Sequence, residues 1–153
     1  MADDAPSTAA LLGRWRTEGQ VLGDDGATVV ATVVGSDVYE ALGPFVVHHV
    51  DVVMGGRRTR ALEVIEPWDA ARGVFPTRAY DDEGGIDTST ASVDPDGVWT
   101  FRAGDAEATL QVSDDGSSMH ARWTVPGPAG SRRPWMELDL RRDDRPGPAD
   151  AAR

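Results

Sequence analysis

Short apolar runs separated by turn-forming clusters extend along almost the whole sequence, and this spacing constrains the fold more than any other feature. The clearest clusters are Gly-Asp-Asp-Gly at 23–26, Met-Gly-Gly at 54–56, Asp-Pro-Asp-Gly at 94–97 and Asp-Asp-Gly at 114–116. Glycine supplies the positive φ that hairpin turns need, and aspartate can cap such a turn through its own side chain. This punctuation is typical of a meander of antiparallel hairpins.

The turns, with weaker breaks between them, divide the chain into ten predicted strands. Their approximate limits are 13–22, 28–41, 45–54, 57–66, 73–80, 86–93, 98–103, 106–112, 118–125 and 134–141. Helical signals are weak, and the one short helix that the sequence predicts is 6–12, where Ser7 can cap a turn before the first strand.

Alternation within these strands indicates that one face lies on a core. Within 106–112 the apolar residues share one face and Glu107, Thr109 and Gln111 share the other. An open sheet of ten strands would leave two long unpaired edges, which closure removes. We therefore predict an all-β fold: a single antiparallel up-and-down closed barrel of about ten strands, wide enough to hold a small ligand.

The domain limits follow from composition. The barrel domain is predicted for 10–141, between flexible tails at 1–9 and 142–153 that are too poor in apolar residues to offset their ordering entropy. The runs 29–34 and 45–54 are apolar on both faces, as expected if a helix, a tail or another subunit covers the outer side. A homodimer is therefore one open prediction.

Charge and residue usage exclude several classes of function. The 26 acidic and 15 basic residues give a formal charge of −11, which repels nucleic acid and anionic membrane surfaces, so neither is a predicted partner. There is no cysteine for thiolate chemistry and no lysine for a Schiff base. Asp3 and Asp4 stand where a signal peptide needs positive charge, so a cytoplasmic location is expected.

Several segments resemble a known group of barrels. These are Gly13-Arg14-Trp15, the segment Val-Tyr-Glu-Ala-Leu-Gly at 38–43, the turn at 54–56, and Trp68-Asp69 ahead of Gly73. Over about 10–141 the chain resembles a bacterial lipocalin-like, calycin-type domain family of unknown function, and more distantly nitrobindins and fatty-acid-binding proteins. The resemblance implies a calycin-type barrel with a pocket for a hydrophobic or amphipathic small molecule, and it carries over no catalytic residue.

In nitrobindins the opening reads Gly-x-Trp-x-Gly-x-Gly, and a haem-ligating histidine comes late in the chain. Here Thr17 replaces the middle glycine, and the last predicted strand contains no histidine. No cofactor or metal site is predicted, and haem binding through His48 or His120 is kept as an alternative.

His48 and His49 are neighbours on one predicted strand and therefore point to opposite faces. His48 shares its parity with Val50 and Val52, which places it in the interior, whereas His49 and His120 are predicted to be exposed. His48 is either a buried imidazole bonded to a neighbour or a pocket residue that orients a ligand or moves a proton.

The other candidate residues follow from strand parity. Trp15 is also expected to plug the closed end of the barrel, as the lipocalin resemblance implies, and the tryptophans either line a cavity or form core. Arg60, in phase with Leu62, either enters the pocket to meet a carboxylate or reaches solvent. The predicted ligand-binding residues are Trp15, His48, Val50, Arg60, Leu62, Tyr80, Trp99 and Trp123.

Three functions are compatible with these observations. The leading hypothesis is a protein that binds a small hydrophobic ligand. The second is a barrel enzyme, a cyclase or isomerase of a hydrophobic intermediate, for example a polyketide-like one, with His48 or Tyr80 as acid or base. The third is a haem-binding protein similar to nitrobindins.

Overall fold

Each strand of the protein pairs with its neighbours in the sequence, and the last strand pairs with the first. The computed structural model describes residues 5–144, and over this range the strands form one closed antiparallel barrel in up-and-down order. The predicted fold class is confirmed. The strands are β1 (Gly13–Leu22), β2 (Val29–Leu42), β3 (Phe45–Met54), β4 (Arg57–Ile65), β5 (Phe75–Asp81), β6 (Ile86–Val93), β7 (Val98–Ala103), β8 (Ala106–Val112), β9 (Ser118–Pro126) and β10 (Arg132–Arg142).

Helical structure in the described residues is limited to two 3₁₀ turns, Ala9–Leu11 and Pro128–Gly130. The helix predicted at 6–12 is thus one 3₁₀ turn, in which the Ser7 hydroxyl accepts a hydrogen bond from the Ala9 N–H at 3.1 Å. No helix in this part of the chain has the length and hydrophobicity needed to cross a membrane. Of the predicted tails, 1–4 and 145–153 lie outside the described residues, while Arg142 still pairs in β10.

Aromatic side chains fill one part of the barrel interior. The ring centroid of Phe75 lies 4.9 Å from that of Trp68 and 5.6 Å from that of Trp99, and Trp99 lies 6.2 Å from Phe101. Trp99 is only 2% exposed. These four residues, called here the aromatic cluster, occupy space that a ligand would otherwise share.

Trp15 lies between the first 3₁₀ turn and the end of the last strand. Its side chain is completely buried, and its Nε1–H donates a hydrogen bond to the Leu11 carbonyl at 2.9 Å. The guanidinium of Arg142 lies 4.2 Å from the centroid of the Trp15 ring and donates to the Leu12 carbonyl. The first 3₁₀ turn is therefore fixed against β10 by a cation–π contact and hydrogen bonds.

The outer faces of β2 and β3 carry valines that stay exposed. Val30 is 61% exposed, and Val34 pairs with Val53, which are 54% and 44% exposed. These side chains form an apolar strip on the outside of the barrel, and a homodimer through this strip stays a prediction.

The fourteen-residue strand β2 passes very close to β3 at Gly35. A Cβ atom placed on Gly35 would lie 2.2 Å from the backbone oxygen of Asp51, which is closer than any real side-chain carbon comes to such an atom. Because the obstacle is backbone rather than a flexible side chain, only glycine fits without moving the strands apart.

We expect Gly35→Ala to lower the free energy of unfolding by about 1–3 kcal/mol, the usual cost of forcing an extra carbon into a packed site. Ser36→Ala at the next position is the control and should change it by less than about 0.5 kcal/mol. Urea unfolding followed by circular dichroism measures both, and equal stability of the two variants would contradict the close approach.

Candidate functional site

The barrel interior is only partly filled. Beside the aromatic cluster lies a cavity of about 310 Å³, at the lower end of the roughly 300–1,000 Å³ range of small-molecule pockets. Its apolar wall includes Val33, Val50, Val52, Met54, Phe101, Leu110, Trp123, Met136, Leu138 and Leu140. Small side chains leave the space open, since the same wall contains Ala61, Ala79, Ala103, Ala108 and Ala121.

Polar side chains interrupt this apolar lining along one row of paired residues. Tyr39 on β2 pairs with His48 on β3, which pairs with Glu63 on β4. Glu63 pairs with Ala79 on β5, and Ala79 pairs with Asp87 on β6. Residues paired across antiparallel strands share a face, and all five line the cavity. Tyr39, His48, Glu63 and Asp87 are called the polar row below.

His48 is held between two carboxylates. Its Nε2 lies 2.6 Å from Oδ1 of Asp37, and its Nδ1 lies 3.1 Å from Oε1 of Glu63. The side chains of His48, Asp37 and Glu63 are 12%, 10% and 19% exposed. Both ring nitrogens can donate at once only in the imidazolium, so this geometry selects the protonated form.

Asp37 is engaged by a second donor. The Thr17 hydroxyl on β1 donates to Oδ2 of Asp37, while Oδ1 receives the bond from His48. Thr17 is completely buried. Asp37 thus has both oxygens in hydrogen bonds, as a buried charge requires.

The pKa of His48 reflects these opposing effects. Burial lowers it, but hydrogen bonds from the ring to Asp37 and Glu63, together with the negative charges of both, outweigh burial and raise the pKa to about 9. His48 is therefore a cation at neutral pH.

Tyr39 covers one face of the imidazole. The two rings are stacked, with their centroids 3.9 Å apart and their planes 9° from parallel. Burial raises the pKa of Tyr39 well above its ordinary value, and the charges of Asp37 and Glu63 raise it further. A neutral phenol ring thus lies against a charged imidazole, an arrangement that stabilises the cation.

A second polar patch lies on β5 and β6. The hydroxyls of Thr77 and Ser89 are hydrogen-bonded to each other, and Ser89 and Asp87 line the cavity. These groups and the polar row can orient a ligand by hydrogen bonds, while the rest of the wall offers only apolar contact.

The side chains of Asp37, His48 and Glu63 are not arranged as metal ligands. Asp37 and Glu63 bind opposite nitrogens of His48, so the three side chains do not converge on one point. In residues 5–144 no group of three or more histidine, aspartate or glutamate side chains is arranged to hold a metal ion.

The structure brings together three of the sequence-predicted residues. His48, Val50 and Trp123 line the cavity. Trp15 and Trp99 are buried in the packed part of the interior instead and do not border the cavity.

Arg60, Leu62 and Tyr80 lie on the outer face, which corrects the inward orientation predicted for Leu62 and gives Arg60 the solvent-facing one of its two predicted orientations. Leu62 pairs with His49 and Tyr80, one position out of phase with the inward pair of His48 and Glu63. The Arg60 side chain is 58% exposed, and its Nε lies 3.9 Å from Oδ2 of Asp82.

The physical reason is that β4 carries apolar residues on both faces. Its inward positions include Ala61, Glu63 and the buried Ile65, while Leu62 and Val64 face outward. The Glu63 carboxylate can lie inside because His48 forms a hydrogen bond with it there.

The histidines lie on the sides that their parity predicts. His49 is exposed, and His120 is on the outer face of β9 with its side chain 53% exposed and Nδ1 2.9 Å from Oδ1 of Asp139. Sequence reasoning missed most of the polar lining, namely Thr17, Asp37, Glu63, Asp87 and Ser89.

The charge on His48 makes stability depend on pH. A folded-state pKa of about 9, above the ordinary 6.5, contributes stability that is fully present below about pH 6.5 and is lost as the pH rises through about 9. Linkage puts the full contribution at roughly 3 kcal/mol. We expect urea unfolding to show this fall between mildly acidic and alkaline pH.

The variant His48→Gln should lose most of that pH dependence, because glutamine does not titrate. His49→Gln, one residue along on the exposed face, should keep it. The same slope in both variants would show that another group is responsible.

Similarity to known proteins does not indicate a function for this sequence. No protein-family model matches the sequence, and no curated protein is significantly similar to it. The closed barrel of ten antiparallel strands is consistent with a calycin or lipocalin-like fold. Such a fold is compatible with a ligand-binding protein.

Proposed function

We propose that the protein binds a small, largely hydrophobic molecule inside the barrel, as calycin-like binding proteins do. One observation carries the proposal: the interior contains a cavity of about 310 Å³ with an apolar wall and a polar row on one side. Binding sites for small molecules commonly combine apolar walls with a few placed polar groups.

The walls and the polar row have different roles in this proposal. Burying an apolar ligand against side chains such as Trp123, Leu138 and Met136 supplies the driving force, at roughly 25 cal/mol per Å² of apolar surface. The polar row then fixes the orientation of the ligand, because His48 and Glu63 are held in place by their mutual hydrogen bond and by the bond from His48 to Asp37.

The catalytic alternative receives less support from the same geometry. Tyr80 is on the outer face and 38% exposed, so it does not reach the cavity. His48 uses both ring nitrogens in hydrogen bonds to carboxylates, and a general acid or base needs one of them for the substrate.

The haem alternative depends on a histidine with a ring nitrogen free to bind iron. A haem iron needs an imidazole nitrogen as its axial ligand. Both nitrogens of His48 face carboxylate oxygens, and His120 lies on the outer face of the barrel. These residues, as arranged, do not fit a haem.

Filling the cavity should abolish binding. We expect the neutral dye N-phenyl-1-naphthylamine to gain fluorescence with the wild-type protein, and Ala121→Phe to weaken its affinity by at least about tenfold, because the new ring occupies the cavity. His120→Phe is the matched control, since it adds the same ring to the outer face of the same strand and should bind as the wild type does.

Thermal unfolding of both variants checks that each is folded. A wild-type protein that does not bind the dye, or an Ala121→Phe variant that binds it unchanged, would contradict binding inside the barrel.

A further inference from the structure

The charged groups that line the cavity are strongly unbalanced. Three of them are the carboxylates of Asp37, Glu63 and Asp87, and one is His48. No arginine is among the lining residues, and the chain contains no lysine. Three negative charges therefore face one positive charge across a space enclosed by apolar side chains.

Glu63 has hydrogen-bonding capacity left over. Its Oε1 accepts from His48, while no hydrogen bond within the described residues uses Oε2. Asp37 differs, because Thr17 and His48 engage both of its oxygens. Of the two carboxylates around His48, Glu63 is the one that keeps an oxygen with no hydrogen bond among the described residues, so it is the more available acceptor for a donor in the cavity.

Tyr39, on the other side of His48 in the polar row, offers a second unused group. This side chain is 94% buried and lines the cavity, yet its hydroxyl makes no hydrogen bond within residues 5–144. The hydroxyl oxygen keeps some accessible surface, so it is free to take a hydrogen-bond partner from a ligand in the cavity.

Asp87 extends the negative potential along the row. It lies two strands from Glu63, on the far side of Ala79, which corresponds to about 10 Å across the sheet. Among the described residues no cation pairs with it. The chain's formal charge of −11 adds a long-range attraction for cations.

We propose that the cavity selects a small amphipathic amine, whose ammonium group binds Oε2 of Glu63 and the Tyr39 hydroxyl while its apolar part lies against the opposite wall. This inference rests on the binding function proposed above and specifies its ligand class. A carboxylate ligand such as a fatty acid would instead meet three carboxylates, and the single cation there is already bonded to two of them.

Octylamine, octan-1-ol and octanoate test the head group directly, because they share one alkyl chain. Each is used to displace N-phenyl-1-naphthylamine from the wild-type protein near neutral pH. We expect octylamine to bind at least about tenfold more tightly than octan-1-ol, and octanoate to bind most weakly, since a charge-assisted bond to a carboxylate is available only to the amine.

Glu63→Gln removes the charge but keeps an oxygen that can accept from His48. It should reduce the preference for octylamine over octan-1-ol by about tenfold, because the charge-assisted bond is available only to the amine. Glu18→Gln is the matched control, because it removes the same charge from an exposed position on β1 and should keep the preference. Should Glu63→Gln fail to fold, Asp87→Asn at an exposed position of the cavity should lower the preference in the same direction.

The outcomes separate this inference from the function on which it rests. Equal binding of the three probes, tighter binding of octanoate, or an amine preference that persists in Glu63→Gln would overturn the amine site and leave hydrophobic binding standing. Failure of the dye and of all three probes to bind the wild-type protein would overturn both.

Discussion

The pairing of β10 with β1 is the constraint on which the rest of the structure depends. Seven residue pairs, from Trp15 with Arg142 to Val21 with Met136, join the ends of the sheet and leave no unpaired edge. Closure separates an inside from an outside, so every strand position has one of two environments. The interior contains both aromatic residues and alanines, and the uneven distribution of these sizes leaves a cavity beside Phe101.

The strands could be predicted from the sequence because their turns are local. Glycine and aspartate set the turn geometry within a few residues, and this holds whatever the strands later pack against. Orientation was harder to predict where hydrophobicity was the only guide. On β4 the apolar residues Leu62 and Val64 face outward, so a rule that places apolar residues inside gave the wrong face for Leu62 and left the orientation of Arg60 undecided.

Part of the site could also have been predicted from the sequence. Two-residue turns fix register, so the turn between Leu42 and Phe45 places Tyr39 opposite His48, and the turn between Met54 and Arg57 places Glu63 there. If His48 points inward, its paired residues Tyr39 and Glu63 must therefore point inward beside it. The bond from Asp37 was not predictable in this way, because Asp37 pairs with Val50 and reaches His48 diagonally. The cavity itself depends on packing between strands distant in sequence, which no local pattern reveals.

The cluster around His48 is costly as a purely structural feature. Removing charges from water carries a penalty that their mutual attraction only partly offsets, and apolar residues of similar size are often at least as stabilising in such positions. Asp37 and Glu63 face the same apolar space, and an imidazolium between them offsets their repulsion. One positive charge cannot balance two negative ones, so the cluster keeps a net negative charge beside the cavity. An interior built only for stability has no use for that charge, whereas an interior that holds a polar or cationic group of a ligand depends on it.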